Sequence, residues 1–314
     1  MFLCVSANPA IDKQIRMTEF RVGAVNRAAE AAPEPGGKAA HVAMTLRALG
    51  EKPEWIGFAG GATGEFLIGG LKALGIRALP VATREATREN LAIVDGVGTM
   101  TEVLEPGEKP SAKELGTFRK ACEAEFTRGG KKLTVILSGS LPRGVAAHFY
   151  ASLIRAARSH GCRVILDSSG EALRRGVAAQ PDLVKPNREE AEALTGVNIR
   201  DVASAREALP QILAMGARSV AISLGKNGVL WGGENQGVLY ARVPEVICRS
   251  AVGSGDAMVA GFAFGLERGL SPEKTLRLAV ACGSANCLAD SPGRIRLSAV
   301  RKLQKAVTVE VLAG

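Results

Sequence analysis

Gly253-Ser254-Gly255-Asp256 forms a glycine-flanked corner that opens onto a helical run of small residues, Ala257 to Leu266. The two glycines free the backbone for a tight turn, and the helix start beyond them offers unpaired N–H groups and positive dipole character, which suits an anion. An acid at that spot has two readings. Asp256 caps the helix, since Asp is a preferred cap, or it is a general base beside a phosphate-binding turn, taking a proton from an attacking hydroxyl.

A second glycine corner, Pro35-Gly36-Gly37-Lys38, opens a helix expected over Ala39–Leu49, with Gly50 as its stop. Lys38 is electrostatically misplaced at a helix start unless something negative sits there; the alternative is a solvated lysine. In Lys185-Pro186-Asn187-Arg188-Glu189-Glu190, Asn187 and Glu190 have the spacing of a capping box. The same two residues could instead organise Mg²⁺, which takes few protein oxygens and keeps several waters. Further polar groups stand at expected strand ends: Asn8 and Asp12, Ser138 and Ser140, Asp167, and Gly225 after Ser223.

Alternating strands and helices must position these groups. Strands are expected at Phe2–Ala7, Trp55–Ala59, Leu133–Leu137, Arg163–Asp167, Leu183–Lys185 and Ser219–Ser223, and at Pro244–Val252 leading into the 253–256 corner. Helices are expected at Glu65–Leu74, Ala112–Phe126, Ala146–His160, Gly170–Ala178, Glu189–Leu194, Ala203–Met215, Pro272–Leu288 and Ser298–Val307. That alternation implies a parallel, doubly wound sheet with ligands at the carboxyl ends of its strands. Two polar β pairs, Ile11–Met17 with Val25–Ala32 and Leu91–Asp95 with Thr99–Leu104, fit a small β layer outside that sheet, and Val229–Trp231 with Gly237–Val243 fits an antiparallel edge.

Composition agrees. The chain has 314 residues, 46% hydrophobic and only 4% aromatic, so its core rests on Ala, Val, Leu and Ile, as in a sheet covered by helices. Six cysteines without a CxxC pair read as free thiols in a reducing cytoplasm. Neither a signal peptide nor a membrane span is expected. A formal charge of +9 with scattered basic residues and few aromatics points away from nucleic acid and towards an anionic small substrate. Gly60-Gly61-Ala62-Thr63-Gly64 lacks the dinucleotide spacing, and neither Gly37-Lys38 nor Gly225-Lys226 continues into Ser or Thr, so Rossmann and P-loop sites are set aside.

Taken in order, NPAID (8–12), PGGK (35–38), GGATGE (60–65), TREN (87–90), SGSLPRG (138–144), DSSGEAL (167–173), VKPNREE (184–190), SLGKNG (223–228) and VGSGD (252–256) span nearly the whole chain. The set resembles the ribokinase-like PfkB carbohydrate kinases, in particular the phosphosugar branch of 1-phosphofructokinase, tagatose-6-phosphate kinase and minor 6-phosphofructokinase. The resemblance implies one ribokinase-like αβα domain over 1–314, with a β-sheet lid from about 9–33 and 84–106. It also implies a cytoplasmic homodimer joined through the lids, using ATP and Mg²⁺. Asp256 would be the catalytic base, with Gly253, Ser254 and Gly255 supplying amides to the transferring phosphoryl group. Asp12, Gly36, Gly37, His41, Asn90, Ser138 and Ser140 would face the sugar. Lys38, Arg88 and Arg27 would hold the phosphate it already carries. Lys185, Asn187, Ser223, Gly225, Gly228, Gly283 and Asn286 would line the nucleotide, and Asn187 and Glu190 the metal.

This chain departs from the family's usual GGKGxN at Ala39 and His41, the latter standing for a sugar-binding asparagine. Val25 and Glu102 fall where minor 6-phosphofructokinases carry basic lid residues, so the expected substrate is fructose 1-phosphate. Tagatose 6-phosphate and fructose 6-phosphate are the alternatives. Further alternatives are a kinase of unphosphorylated sugars and a non-catalytic sugar-phosphate sensor.

Overall fold

The computed structural model describes residues 1–234 and 236–312. In chain order, β1 (Phe2–Ser6) leads to β2 (Ala10–Arg16) and β3 (Glu30–Gly36), then α1 (Lys38–Ala48), β4 (Glu54–Ala59), α2 (Gly61–Ala73) and β5 (Arg77–Ala82). A hairpin of β6 (Arg88–Val94) and β7 (Met100–Leu104) follows. Next come α3 (Ala112–Gly129), β8 (Thr134–Ser138), α4 (Phe149–Ser159), β9 (Arg163–Asp167), α5 (Gly170–Val177), β10 (Leu183–Val184), α6 (Arg188–Thr195), α7 (Val202–Ala214) and β11 (Ser219–Ser223). The chain finishes with β12 (Val229–Gly233), β13 (Gln236–Arg242), α8 (Ser254–Glu267), α9 (Pro272–Cys287), α10 (Leu297–Ala306) and β14 (Thr308–Leu312).

Ten strands form the main sheet in the order β14-β13-β12-β11-β10-β9-β8-β1-β4-β5. From β11 to β5 all pairings are parallel, while β12, β13 and β14 add an antiparallel edge. Period-two alternation splits the apolar side chains between two cores: Phe2 and Cys4 of β1 join one, Leu3 and Val5 the other. The first core takes α1, α2, α8, α9 and α10, and the second takes α3 to α7, giving three layers. On the first face α8 and α9 come close enough that a Cβ on Gly261 would lie 2.5 Å from Ala279 Cα.

Topology fixes where chemistry gathers. Successive connections diverge from β1 to β4 on one side and to β8 on the other, so the carboxyl end of β1 is a switch point at which a crevice opens. The corner before α8, the start of α1 and the ends of β8, β9 and β11 all border one cleft of about 2040 Å³.

The two outlying β pairs are a single four-stranded sheet, β3-β2-β6-β7, because β2 and β6 pair in parallel over their full lengths. The second strand of the first pair is not Val25–Ala32 but Glu30–Gly36. Pro33 and Pro35 argue against a strand locally, yet β3 lies at the sheet edge and pairs with β2 alone, where a missing N–H is tolerated. Pro244–Val252 is irregular rather than a strand. It passes over the cleft mouth, where Val243 to Cys248 join the lining, and has no sheet neighbour to satisfy a ladder. Two strands had no expectation: β5, interrupted in sequence by Pro80, and the terminal β14, which covers the β13 edge. No helix among the described residues is long and apolar enough to cross a membrane.

Candidate active site

Asp256 is 4% exposed in the first turn of α8. Gly253, at φ 78°, turns the chain into the helix. The first helical bond runs from Ala257 N–H to Gly253 O at 2.9 Å, and the Ser254 N–H donates to Ala251 O at 3.1 Å. The Gly255 and Asp256 amides therefore stand ahead of the helical ladder at its positive end, where an anion would meet them. Of the three residues expected to contribute amides, Ser254 already has an internal partner. Lys185 reaches the same turn: a Cβ on Gly255 would lie in ordinary contact, 3.4 Å, with Lys185 Nζ.

Around Asp256 the side chains form a run of alternating charge. Lys38 Nζ sits 3.1 Å from Asp256 Oδ1 and 3.0 Å from Asp167 Oδ2, and Lys185 Nζ lies 3.4 Å from Asp167 Oδ1. On the other side His41 places Nδ1 2.9 Å from Asp256 Oδ2 and Nε2 2.8 Å from Asp12 Oδ2. Asp12 is completed by Asn90 Nδ2, which donates to Oδ1 at 2.9 Å, and by the Gly37 N–H, which donates to Oδ2 at 3.2 Å.

Local sequence explains how these contacts arise. Lys38 and His41 lie three residues apart on α1 and so share a face. Asp12 and Asn90 are direct partners in the β2–β6 register. Gly36 is required because a Cβ there would fall 2.2 Å from Asp12 Cγ. Asp167 closes β9 and Lys185 follows β10, adjacent parallel strands whose register pairs Leu166 with Val184.

The electrostatics follow from the contacts. Burial alone would raise the Asp256 carboxyl, but Lys38 and His41 hold it well below the usual carboxylate range, so it is ionised at neutral pH. For His41, burial works against charge, yet its bonds to Asp12 and Asp256 push the imidazole up to about 10. Lys38 is likewise opposed by burial and raised by Asp167 and Asp256. Glu102 on β7 is raised by its own burial and by Asp12, with His41 opposing.

Other expected residues occupy varied places. Arg88 lines the cleft, and among the described residues its guanidinium donates to neutral oxygens only: Asn90 Oδ1 at 3.1 Å, Asn8 O at 3.2 Å, and Glu105 O. Ser140 also lines it and accepts from Asn8 Nδ2 at 3.1 Å. Ser223, Gly225, Gly283 and Asn286 border the cleft too. The Asn286 amide is fully occupied, donating to Val252 O at 2.7 Å and Ser254 Oγ at 3.3 Å and accepting from Gly293 N–H at 2.8 Å. It ties the 253–256 corner to the loop after α9. Arg27, Gly36, Ser138 and Gly228 do not line the cleft. Arg27 is exposed on the β2–β3 loop, Ser138 is buried, and Gly228 serves the β11–β12 connection, where a Cβ would strike Ala241 O at 2.4 Å.

Asn187 and Glu190 do form a capping box, each accepting from the other's N–H at 2.8 and 2.9 Å. Both also line the cleft. Burial raises the Glu190 carboxyl, and Oε1 makes no hydrogen bond among the described residues, so a cation there would be welcome. No group of three or more His, Cys, Asp or Glu side chains suited to a metal occurs among the described residues.

Sequence reasoning placed Asp167 at a strand end without giving it a function. The signal was an apolar strand closing on Asp, followed by a neighbouring strand closing on Lys. Its partner Lys38, expected at a substrate phosphate, has its ammonium between two buried acids instead.

The pfkB family carbohydrate kinase model matches residues 4–295. The chain belongs to that family. It is 30% identical over 312 residues to the tagatose-6-phosphate kinase of Staphylococcus epidermidis, covering 98% of this chain and 99% of that one. With the 1-phosphofructokinase of Bacillus subtilis it shares 30% identity over 293 residues, 93% and 94% of the two chains. Among solved structures, phosphofructokinase-2 from Escherichia coli in complex with fructose-6-phosphate superposes with a TM-score of 0.88 at 30% identity, covering 98% of each chain. As a pfkB kinase the chain is a phosphotransferase with the family's mixed α/β architecture and a small second sheet.

His41 makes fold stability depend on pH. Its folded value lies above the unfolded 6.5, so its contribution is complete below that pH and is lost as pH rises through about 10. In urea denaturation, the stability gap between wild type and His41→Asn is therefore expected to narrow steadily across that window. A gap independent of pH would refute this.

Proposed function

We propose that this kinase transfers the γ-phosphoryl group of ATP to a ketohexose monophosphate, with fructose 1-phosphate as the preferred acceptor and the bisphosphate as product. The observation carrying this reading is Asp256, flanked by Lys38 and His41 at a glycine-shaped helix start, with Asp12 and Asn90 of the second sheet on one side and the Ser223–Gly225 turn on the other. A hydroxyl presented to Asp256 finds a proton acceptor, and the Gly255 and Asp256 amides meet negative charge developing on the transferring group. A strong base is not needed, because the transition state of phosphoryl transfer is loose and the hydroxyl becomes acidic late. Mg²⁺ arriving with the nucleotide would be held by Asn187 and Glu190 and would neutralise phosphate oxygens.

On the sugar side, Asp12 with Asn90 offers oxygen acceptors fixed by the second sheet, which we take to act as a lid. Arg88 supplies the phosphate contact, because its hydrogen bonds go only to neutral oxygens and its charge stays available for an anion. Names of the relatives support phosphosugars as a class: tagatose 6-phosphate in one, and the fructose phosphates implied by 1-phosphofructokinase and the fructose-6-phosphate complex. Exposed Val22, Val25, Val97 and Val103 on the second sheet and its loops support pairing of two chains there.

Asp256→Asn is expected to keep the fold and nucleotide binding while kcat falls by about 10²–10⁴-fold. Near-normal turnover would sink the base assignment. An ADP-release assay across fructose 1-phosphate, fructose 6-phosphate, tagatose 6-phosphate and free fructose should show the highest kcat/KM with fructose 1-phosphate. Arg88→Ala should then raise KM for the phosphorylated sugars and leave free fructose unaffected; equal effects on both would argue against a phosphate clamp. Light scattering should give the mass of a dimer, and Val103→Asp should shift it towards a monomer. An unchanged mass in that variant would place the interface elsewhere.

A further inference from the structure

Both ring nitrogens of His41 already have carboxylate partners, Asp12 at 2.8 Å and Asp256 at 2.9 Å, and the residue is only 4% exposed. Such a ring has no donor or acceptor left for a sugar hydroxyl. It also joins the two acids that the proposed reaction uses on opposite sides of the cleft, one on a strand of the second sheet and one on a helix of the main layer. We propose that His41 is a positioning residue rather than a sugar contact: as an imidazolium it bridges Asp12 and Asp256, fixing the base carboxylate and keeping both acids anionic. The proposal rests on the kinase reading of Asp256.

Three features support it. A neutral imidazole has one N–H, so it could donate to only one of two carboxylates whose oxygens both lie within hydrogen-bond distance; two bonds require two protons. The backbone of α1 at His41 is also held rigidly. Gly293 packs so tightly that a Cβ on it would lie 2.8 Å from His41 O, and Thr45 Oγ1 donates to Gly293 O at 3.5 Å. Finally, the surrounding charges favour a cation. Asp12 on β2, Asp256 on α8 and Glu102 on β7 are acids acting on the ring, against Lys38 on α1 itself. Arg88 acts on Asp12 from β6, and Lys38 is drawn partly away by Asp167 of β9, which Lys185 also holds. An asparagine at this position, the family's usual residue, carries no charge and could not do the same.

The bridge is tested directly by ¹⁵N NMR of the wild-type imidazole at pH 8, where a free histidine is neutral. Both His41 nitrogens are expected to be protonated, with slowly exchanging ring N–H signals. One unprotonated nitrogen would overturn the proposal, and this readout needs neither turnover nor a variant that folds. In kinetics, His41→Asn should lower kcat by about 10-fold or more and move the acid limb of the kcat profile to higher pH by about one unit, because a cation beside the base has gone. The sugar KM should change less than kcat. An unmoved acid limb with a raised KM alone would make His41 a sugar contact and overturn the proposal. A wild-type chain without turnover on any sugar phosphate would overturn the kinase reading and the positioning role together, while the nitrogen signals would still report whether the bridge exists.

Discussion

The run Asp12–His41–Asp256–Lys38–Asp167–Lys185 is the constraint to which the rest of the site answers. Taking one ion of a buried pair out of water costs several kcal/mol, and removing one partner costs about 3–5 kcal/mol, so the buried members, His41, Asp256, Asp167 and Lys185, are held to their partners. Two cations, Lys38 and His41, occupy the first turn of α1, where the helix dipole opposes them. They are tenable only because three acids converge there. Two glycines make the convergence possible: Gly36 lets Asp12 in, and Gly37 at φ 82° turns the chain into α1.

That run also explains how the two sheets meet. Asp12 belongs to the second sheet and Asp256 to a helix of the main layer, and a single imidazole spans the seam. A second tie runs parallel to it: Glu34 of β3 accepts from Ser291 Oγ at 2.7 Å and pairs with Arg294 at 3.5 Å. The loop bearing Ser291 and Arg294 is the one that Asn286 holds through Gly293, and Asn286 in turn grips Val252 and Ser254 at the 253–256 corner. The second sheet and the 253–256 corner are thus mechanically continuous across the cleft.

How much of this the sequence could disclose depended on the range of the interaction. Strands whose apolar run ended at a clear polar stop, Arg163–Asp167 and Ser219–Ser223, were legible to the residue, and so was the layered alternation around them. Failures came where tertiary context decided. The strand expected over Val25–Ala32 stands at Glu30–Gly36 instead, because an edge position makes Pro33 and Pro35 harmless, and Pro244–Val252 reads as a strand although among the described residues no neighbour is found for it. In the site, the corner, both glycine turns and the capping box were visible because each is local. The bridge made by His41 and the capture of Lys38 by Asp167 were not, since they join residues 215 and 129 positions apart in the chain only through folding. What the sequence did contain was an unexplained departure at position 41 and an unassigned acid at 167, and those were the two places where the structure had most to add.

Charge balance sets a final limit on how substrates are received. Within the run, three carboxylates face three cations, so it presents little net charge to an incoming nucleotide or sugar phosphate. Recognition of anions must then come from groups outside it. Arg88 is such a group, because among the described residues its hydrogen bonds end on neutral oxygens. At the corner, the open Gly255 and Asp256 amides are others, without any side-chain charge. Lys38 stands between these cases. Its ammonium is shared by Asp256 and Asp167, so an arriving phosphate can draw it only by weakening one of those pairs. Freed from Lys38, Asp256 would become a stronger base, whereas freed from His41 it would also lose its orientation. The division between a cation that can be shared with the substrate and one that stays with the protein follows from exposure: the Lys38 side chain is 40% exposed and that of His41 only 5%.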